Sequence, residues 1–197
     1  MTLTMDSSTT ADDQRPMQYT GTAKVLHWLM ALLIVGLFAL GQYMSDLSMS
    51  PRKLQLYSWH KWIGVTAFLL LLVRMAWRLT HQPPALPTQI PPLLRFASHI
   101  SHGALYLLML AIPLSGWLMS SAKGYQTVWF GVLPIPDLLG KDKQLGDALA
   151  EVHGALNSVL ALVVLIHVAA ALKHHFIDRD DVLRRILPAR KQESQPQ

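Results

Sequence analysis

Four long apolar runs constrain this chain more than any other feature. Val25 to Gly41 reads VLHWLMALLIVGLFALG, and Trp62 to Trp77 reads WIGVTAFLLLLVRMAW. Gly103 to Met119 reads GALYLLMLAIPLSGWLM, and Gly154 to Leu172 reads GALNSVLALVVLIHVAAAL. With its flanks, each run reaches the roughly 20 residues that a helix needs to cross about 30 Å of hydrocarbon. One such run suits a buried core helix; four in 197 residues, joined by short polar connections, are the pattern of a membrane protein. A mean hydropathy of +0.28 with only 15% charged residues also excludes a disordered chain. The expected fold is all-α: an integral membrane four-helix bundle with spans at about 24–45, 57–79, 98–121 and 148–176. They lie in one domain, residues 19–188, between a polar N-terminal tail over 1–18, expected to be disordered, and a C-terminal tail over 189–197.

The first run follows a polar, partly acidic segment and is too long for the apolar part of a cleaved signal peptide, so it is read as a span. Asp46 to Lys53 is a short loop. Thr80 to Pro92 is Pro-rich and reads as extended surface chain, because Pro lacks the N–H that a helix needs. Lys123 to Asp147 is the longest connection, and its apolar stretch Val128 to Leu133 suits the membrane interface. Pro113 is expected to kink the third helix, and Asn157 and Ser158 are expected to bond between helices.

Charge sets the orientation. Arg15, Lys24, Arg74, Arg78, Arg95, Lys173, Arg179, Arg184, Arg185, Arg190 and Lys191 fall on one side. Arg52, Lys53, Lys61, Lys123, Lys141 and Lys143 fall on the other. The count is 11 against 6, so both termini are expected in the cytoplasm. The net charge of +5 therefore reads as a membrane-topology bias, and nucleic acid is not an expected partner. Trp28, Trp59, Trp62, Trp77 and Trp117 lie near run ends, where interfacial anchors belong, although any large apolar residue would fit there.

Nine His and no Cys point to the chemistry. The missing Cys excludes disulfide scaffolds, thiolate zinc sites, iron–sulfur clusters, cysteine nucleophiles and covalent C-x-x-C-H haem attachment. His27, His60, His153 and His167 lie inside or at the mouths of the spans, where an ionisable side chain needs a partner. His153 and His167 are 14 residues apart. That is about 40° short of four whole turns, so they share a helix face, about 21 Å apart along the axis. One ion cannot bridge them. The topology puts His60 and His153 near the outer face, and His27 and His167 near the cytoplasm. Two imidazoles per level fall short of the three or four protein ligands of zinc, but they match the two axial positions of haem iron. The four apolar helices supply the slot, and Gly36, Gly41, Gly64, Gly103 and Gly154 serve either close macrocycle approach or plain helix packing. Two haem b groups with both axial positions filled point to electron transfer rather than oxygen activation.

The other histidines leave alternatives open. His102 is a rival to His27 as the inner ligand. His99, His102, His174 and His175 are either interfacial polar residues or a cytoplasmic-side quinone or proton-handling site, and His81 reads as solvated. Arg74 either snorkels or pairs with a haem propionate.

VLHWLMALLIV, WHKWIGV with LLVRMAWRL, HISHGALYLLMLAIPLSGWLM, and EVHGALNSVLALVVLIHVAAALKHHF with LRRILP together resemble the bacterial cytochrome b561 family. These are four-helix, di-haem, quinone-linked cytochromes related to hydrogenase and formate dehydrogenase cytochrome b subunits. The resemblance covers roughly Tyr19 to Pro188. It implies two haem b groups, with His27 and His167 on the inner iron and His60 and His153 on the outer. It also implies an inner-membrane oxidoreductase that reduces ubiquinone, with superoxide or another periplasmic-side donor. Arg52, Lys53 and Lys61 are candidates for a basic outer surface that attracts such a donor. The alternatives are a cytochrome b membrane subunit that relays electrons from a periplasmic redox partner to the quinone pool, and a His-lined metal or proton transporter. Whatever the chemistry, lipid is the main solvent of the spans.

Overall fold

The computed structural model describes residues 18–85 and 90–188; the expected C-terminal tail over 189–197, and all but Gln18 of the expected N-terminal tail over 1–18, lie outside the described residues. Four long helices dominate: α1 Gly21–Ser45, α2 Pro51–Thr80, α3 Pro92–Ala122 and α4 Lys143–Lys173. They run to 25, 30, 31 and 31 residues, or about 37–47 Å at 1.5 Å per residue, more than the hydrocarbon core requires. α1, α2 and α4 begin before their apolar runs, each with a polar side chain capping its first turn. Thr20 Oγ1 accepts from Ala23 N, Ser50 Oγ from Lys53 N and Asp142 Oδ1 from Leu145 N. Pro51 and Pro92 occupy first-turn positions, where a missing N–H costs nothing. α3 is one continuous helix through Pro113.

The outward faces are apolar. Leu32, Val35, Leu107 and Leu165 are each at least 60% exposed, on three of the four long helices, whose buried apolar set is small. Contiguous exposure of that kind suits lipid and would be a liability in water.

Packing is unequal around the bundle. α1 lies along α2, and α3 lies along α4, while the two pairs approach each other at few points. The result is two helical hairpins facing across a slot. One end of the molecule is tied together by indole donors. Trp77 Nε1 donates to Thr20 Oγ1 at 3.0 Å, and Trp28 Nε1 donates to the Ile186 carbonyl at 3.0 Å. The described ends of the chain, near Gln18 and Pro188, therefore lie at the same end as the α2–α3 connection, where Arg185 Nη1 reaches the Ala85 carbonyl at 2.7 Å.

The fold is not wholly helical. The connection between α3 and α4 holds an antiparallel pair, β1 Thr127–Trp129 and β2 Leu133–Ile135, in register Thr127↔Ile135, Val128↔Pro134 and Trp129↔Leu133. Aromatic and β-branched residues favour the strands, and Phe130 and Gly131 turn the chain at φ of +50° and +72°. Pro134 is tolerated because a two-stranded ribbon has only edges. The hairpin rests on the flank of α2: Trp62 Nε1 donates to the Val128 carbonyl at 2.6 Å, and Trp129 Nε1 to the Trp62 carbonyl at 3.2 Å.

Other expectations need correction. Asn157 Nδ2 bonds the His153 carbonyl and Ser158 Oγ the Gly154 carbonyl, both on their own helix, so neither bonds between helices. Polar side chains in α-helices readily satisfy themselves on the carbonyl four residues back. α4 ends in a π-helical turn, His174–Asp178, and a short helix α5, Val182–Ile186, follows.

Candidate functional site

Two pairs of imidazoles cross the slot. His60 on α2 faces His153 on α4, with ring centroids 6.4 Å apart and planes at 79°. His27 on α1 faces His167 on α4 at the same centroid distance of 6.4 Å, with planes at 60°. Two imidazoles on opposite sides of one metal ion, each with its nitrogen about 2.0–2.1 Å away, put their centroids about 6.3 Å apart. Both pairs have that spacing.

α3 supplies the seat for His153. Its Nδ1 lies 3.1 Å from the Ile112 carbonyl and 3.0 Å from Ser115 Oγ, which itself donates to Ile112 O at 2.8 Å. Both neighbours accept, so Nδ1 carries the proton and Nε2 keeps its lone pair, the state that a metal needs. Gly116 makes the approach possible: a Cβ there would stand 3.1 Å from His153 Cε1. A Cβ at Gly41 would stand 3.5 Å from His60 Cε1, an ordinary contact that does not demand glycine. Gly36, Gly64, Gly103 and Gly154 meet no such neighbour. Among the described residues, His60 Nδ1 is a buried polar atom with no hydrogen-bond partner.

The other pair has a cationic neighbour. Arg74 Nη2 donates to His27 Nδ1 at 3.1 Å, so Nε2 carries the proton here and would have to give it up to hold a metal, and Arg74 Nε donates to the Tyr106 hydroxyl at 3.1 Å. The guanidinium is thus turned into the bundle and does not snorkel. Arg78 lies 5.6 Å from the Tyr106 ring centroid. His102 on α3 also approaches, with its ring 5.3 Å from that of His167 at 70°. That distance is too short for two imidazoles on opposite sides of one metal ion.

The remaining histidines separate from this centre. His99 is exposed, and His81 stacks on Trp77 at 3.8 Å with planes within 5°. His174 Nδ1 lies 2.6 Å from Asp180 and 3.3 Å from Asp178, whose carboxylate also holds Lys173. His175 packs its ring against Phe176 at 4.8 Å. Among the described residues, three metal-donating side chains converge only at His174, Asp178 and Asp180. Neither cross-slot pair has the third protein ligand that zinc prefers. The cations at the α1–α2 end, expected to form a basic surface, are in structural use. Lys53 Nζ bonds the Ser45 and Leu47 carbonyls at the end of α1, Lys61 Nζ bonds the Tyr125 carbonyl, and Arg52 lies over Tyr43.

A family model described as prokaryotic cytochrome b561 matches residues 18–189, which is nearly the whole helical unit. The chain belongs to that family. Its relatives include cytochrome b561 homolog 2 of Escherichia coli (strain K12), 36% identical over 179 residues, or 87% of this chain and 92% of the relative. The probable superoxide oxidase CybB of Yersinia pestis is 26% identical over 170 residues, covering 84% and 93%. Cytochrome b561 homolog 1 of Escherichia coli (strain K12) is 24% identical over 177 residues, covering 88% and 99%. As a cytochrome b561, the chain is a haem b protein of electron transport, and its four apolar helices place it in a membrane.

The side chains that sequence reasoning overlooked in this cytochrome b561 are Ser115, Gly116 and Tyr106. Ser115 and Gly116 follow Pro113 in AIPLSG, so the signal was a run of small residues inside an apolar helix. Such runs usually serve helix packing, which hid their role.

Proposed function

We propose that this cytochrome b561 carries electrons across the bilayer through two bis-histidine b haems, from superoxide or another periplasmic-side donor to ubiquinone. The observation that carries the reading is the pair of equal 6.4 Å imidazole spacings, at levels about 21 Å apart along α4. His27 and His167 would hold the inner iron, and His60 and His153 the outer. Bound haem b supplies reversible one-electron chemistry at iron. If these four imidazoles hold the two irons in pairs, no coordination place would be left for oxygen, which favours electron transfer over oxygenation. The apolar helices on either side of the two levels offer walls for a planar group.

The charge bias of 11 against 6 supports cytoplasmic termini, as does the shared position of the described chain ends at one end of the bundle. In that orientation Lys61 and Arg52 lie on the periplasmic side. The relative named as a probable superoxide oxidase supports superoxide as the donor class.

The test is a redox titration of the purified protein's absorbance, with haem counted per chain, in the presence and absence of superoxide and ubiquinone. The expected result is two b-type components per chain, reduced by superoxide and reoxidised by ubiquinone. A haem-replete preparation with one component, or one inert to both reactants, overturns the reading. A reporter fused to the C-terminus is expected to be active only in its cytoplasmic form.

A further inference from the structure

The two imidazole pairs have the same spacing but opposite surroundings. At the outer pair, His153 Nδ1 faces two oxygens, the Ile112 carbonyl at 3.1 Å and Ser115 Oγ at 3.0 Å. At the inner pair, His27 Nδ1 faces the Arg74 guanidinium at 3.1 Å. Oxygen acceptors on Nδ1–H give the ring imidazolate character and strengthen Nε2 as a donor, which favours the more highly charged, oxidised metal. A fixed cation works the other way and favours the reduced state.

Ser115 is built for the first role. It is buried, at 7% exposure, on the α3 face that meets α4. Its hydroxyl hydrogen is taken by the Ile112 carbonyl at 2.8 Å, so its lone pairs are turned towards His153. A hydroxyl that donates is polarised into a better acceptor. Gly116, next in sequence, lets the ring come close enough to use it.

We propose that Ser115 is a positioning residue that lowers the potential of the outer centre, by holding His153 through Nδ1. This rests on the reading of His153 as an axial ligand. Ser115 touches neither iron nor reactant, and it acts only through the ring.

The experiment is potentiometric titration of the purified holoprotein, with the low-spin ferric resonance signals recorded alongside. The proteins compared are wild type, Ser115→Ala, Ser115→Thr and His153→Ala. His153→Ala is expected to remove one component, which is thereby identified as the outer one. Ser115→Ala is expected to keep both haems and to raise the potential of that component alone. An order-of-magnitude shift in its oxidised-to-reduced ratio corresponds to about 59 mV for one electron. Ser115→Thr keeps the hydroxyl and is expected to stay near wild type. If His153→Ala removes neither component, the ligand reading fails and the proposal fails with it. If His153→Ala removes one component but Ser115→Ala leaves its potential unmoved, the ligand reading stands and the proposal alone is overturned. A Ser115→Thr protein that shifts as far as Ser115→Ala also overturns it, because the hydroxyl would then not be the cause.

Discussion

His102 presents its ring to His167 at 5.3 Å, about an ångström nearer than His27 stands to the same residue. Nearness is not the criterion for a shared iron, because the metal and two nitrogen bonds need about 6.3 Å between centroids. His27→Ala is therefore expected to lose one of two haems, whereas His102→Ala retains both. The haem-to-protein ratio of the purified variants decides it. Loss of haem from His102→Ala with retention in His27→Ala would reverse the assignment.

His153 and His167 belong to different pairs although they share a helix. Single replacement of either by Ala is expected to halve the haem content, and the double replacement to abolish it. The two single variants are expected to lose different components of the redox titration. Loss of all haem from one single variant would argue that the levels are not independent.

Gly116 and Gly36 provide a matched comparison. A methyl at Gly116 stands 3.1 Å from His153 Cε1, while one at the exposed Gly36 meets nothing within 4 Å. Gly116→Ala is expected to destabilise the protein by about 1–3 kcal/mol through overpacking and to disturb the haem absorbance. Gly36→Ala is expected to be neutral or slightly stabilising, because Ala is the better helix former. Thermal unfolding in detergent, read at the haem band, separates the two.

The hairpin hangs on indole donors. Trp62→Phe removes the bond to the Val128 carbonyl while keeping an aromatic ring near Phe130, whose centroid is 5.5 Å away. The expected cost is about 1 kcal/mol. Limited proteolysis should then cut between Tyr125 and Pro136 faster than in wild type, with the haem spectrum unchanged. An unchanged cleavage rate would show that the Trp129 bond to the Trp62 carbonyl is sufficient.

What could be read from the sequence was whatever depends on one helix at a time. An apolar run long enough to span is a one-dimensional signal, and the rise per residue turns His27, His60, His153 and His167 into depths. What could not be read depends on how helices rotate against each other. Ser115 and Gly116 matter because α3 turns that face to His153, and nothing in AIPLSG states the rotation. Arg74 sat equally well at the interface or in the bundle until Tyr106 and His27 were placed beside it. Asn157 and Ser158 were misjudged because a helix offers them carbonyls of its own. The hairpin was missed because three-residue strands leave almost no periodicity to detect.

Each cross-slot pair takes one imidazole from the first helical hairpin and one from α4. A ribosome making this chain therefore releases His27 and His60 long before their opposite numbers exist. Neither pair can close until the final long helix has left the tunnel and entered the bilayer. Maturation of both levels is deferred to the last stage of biosynthesis, so a truncated product lacking α4 carries half the imidazoles and completes neither level.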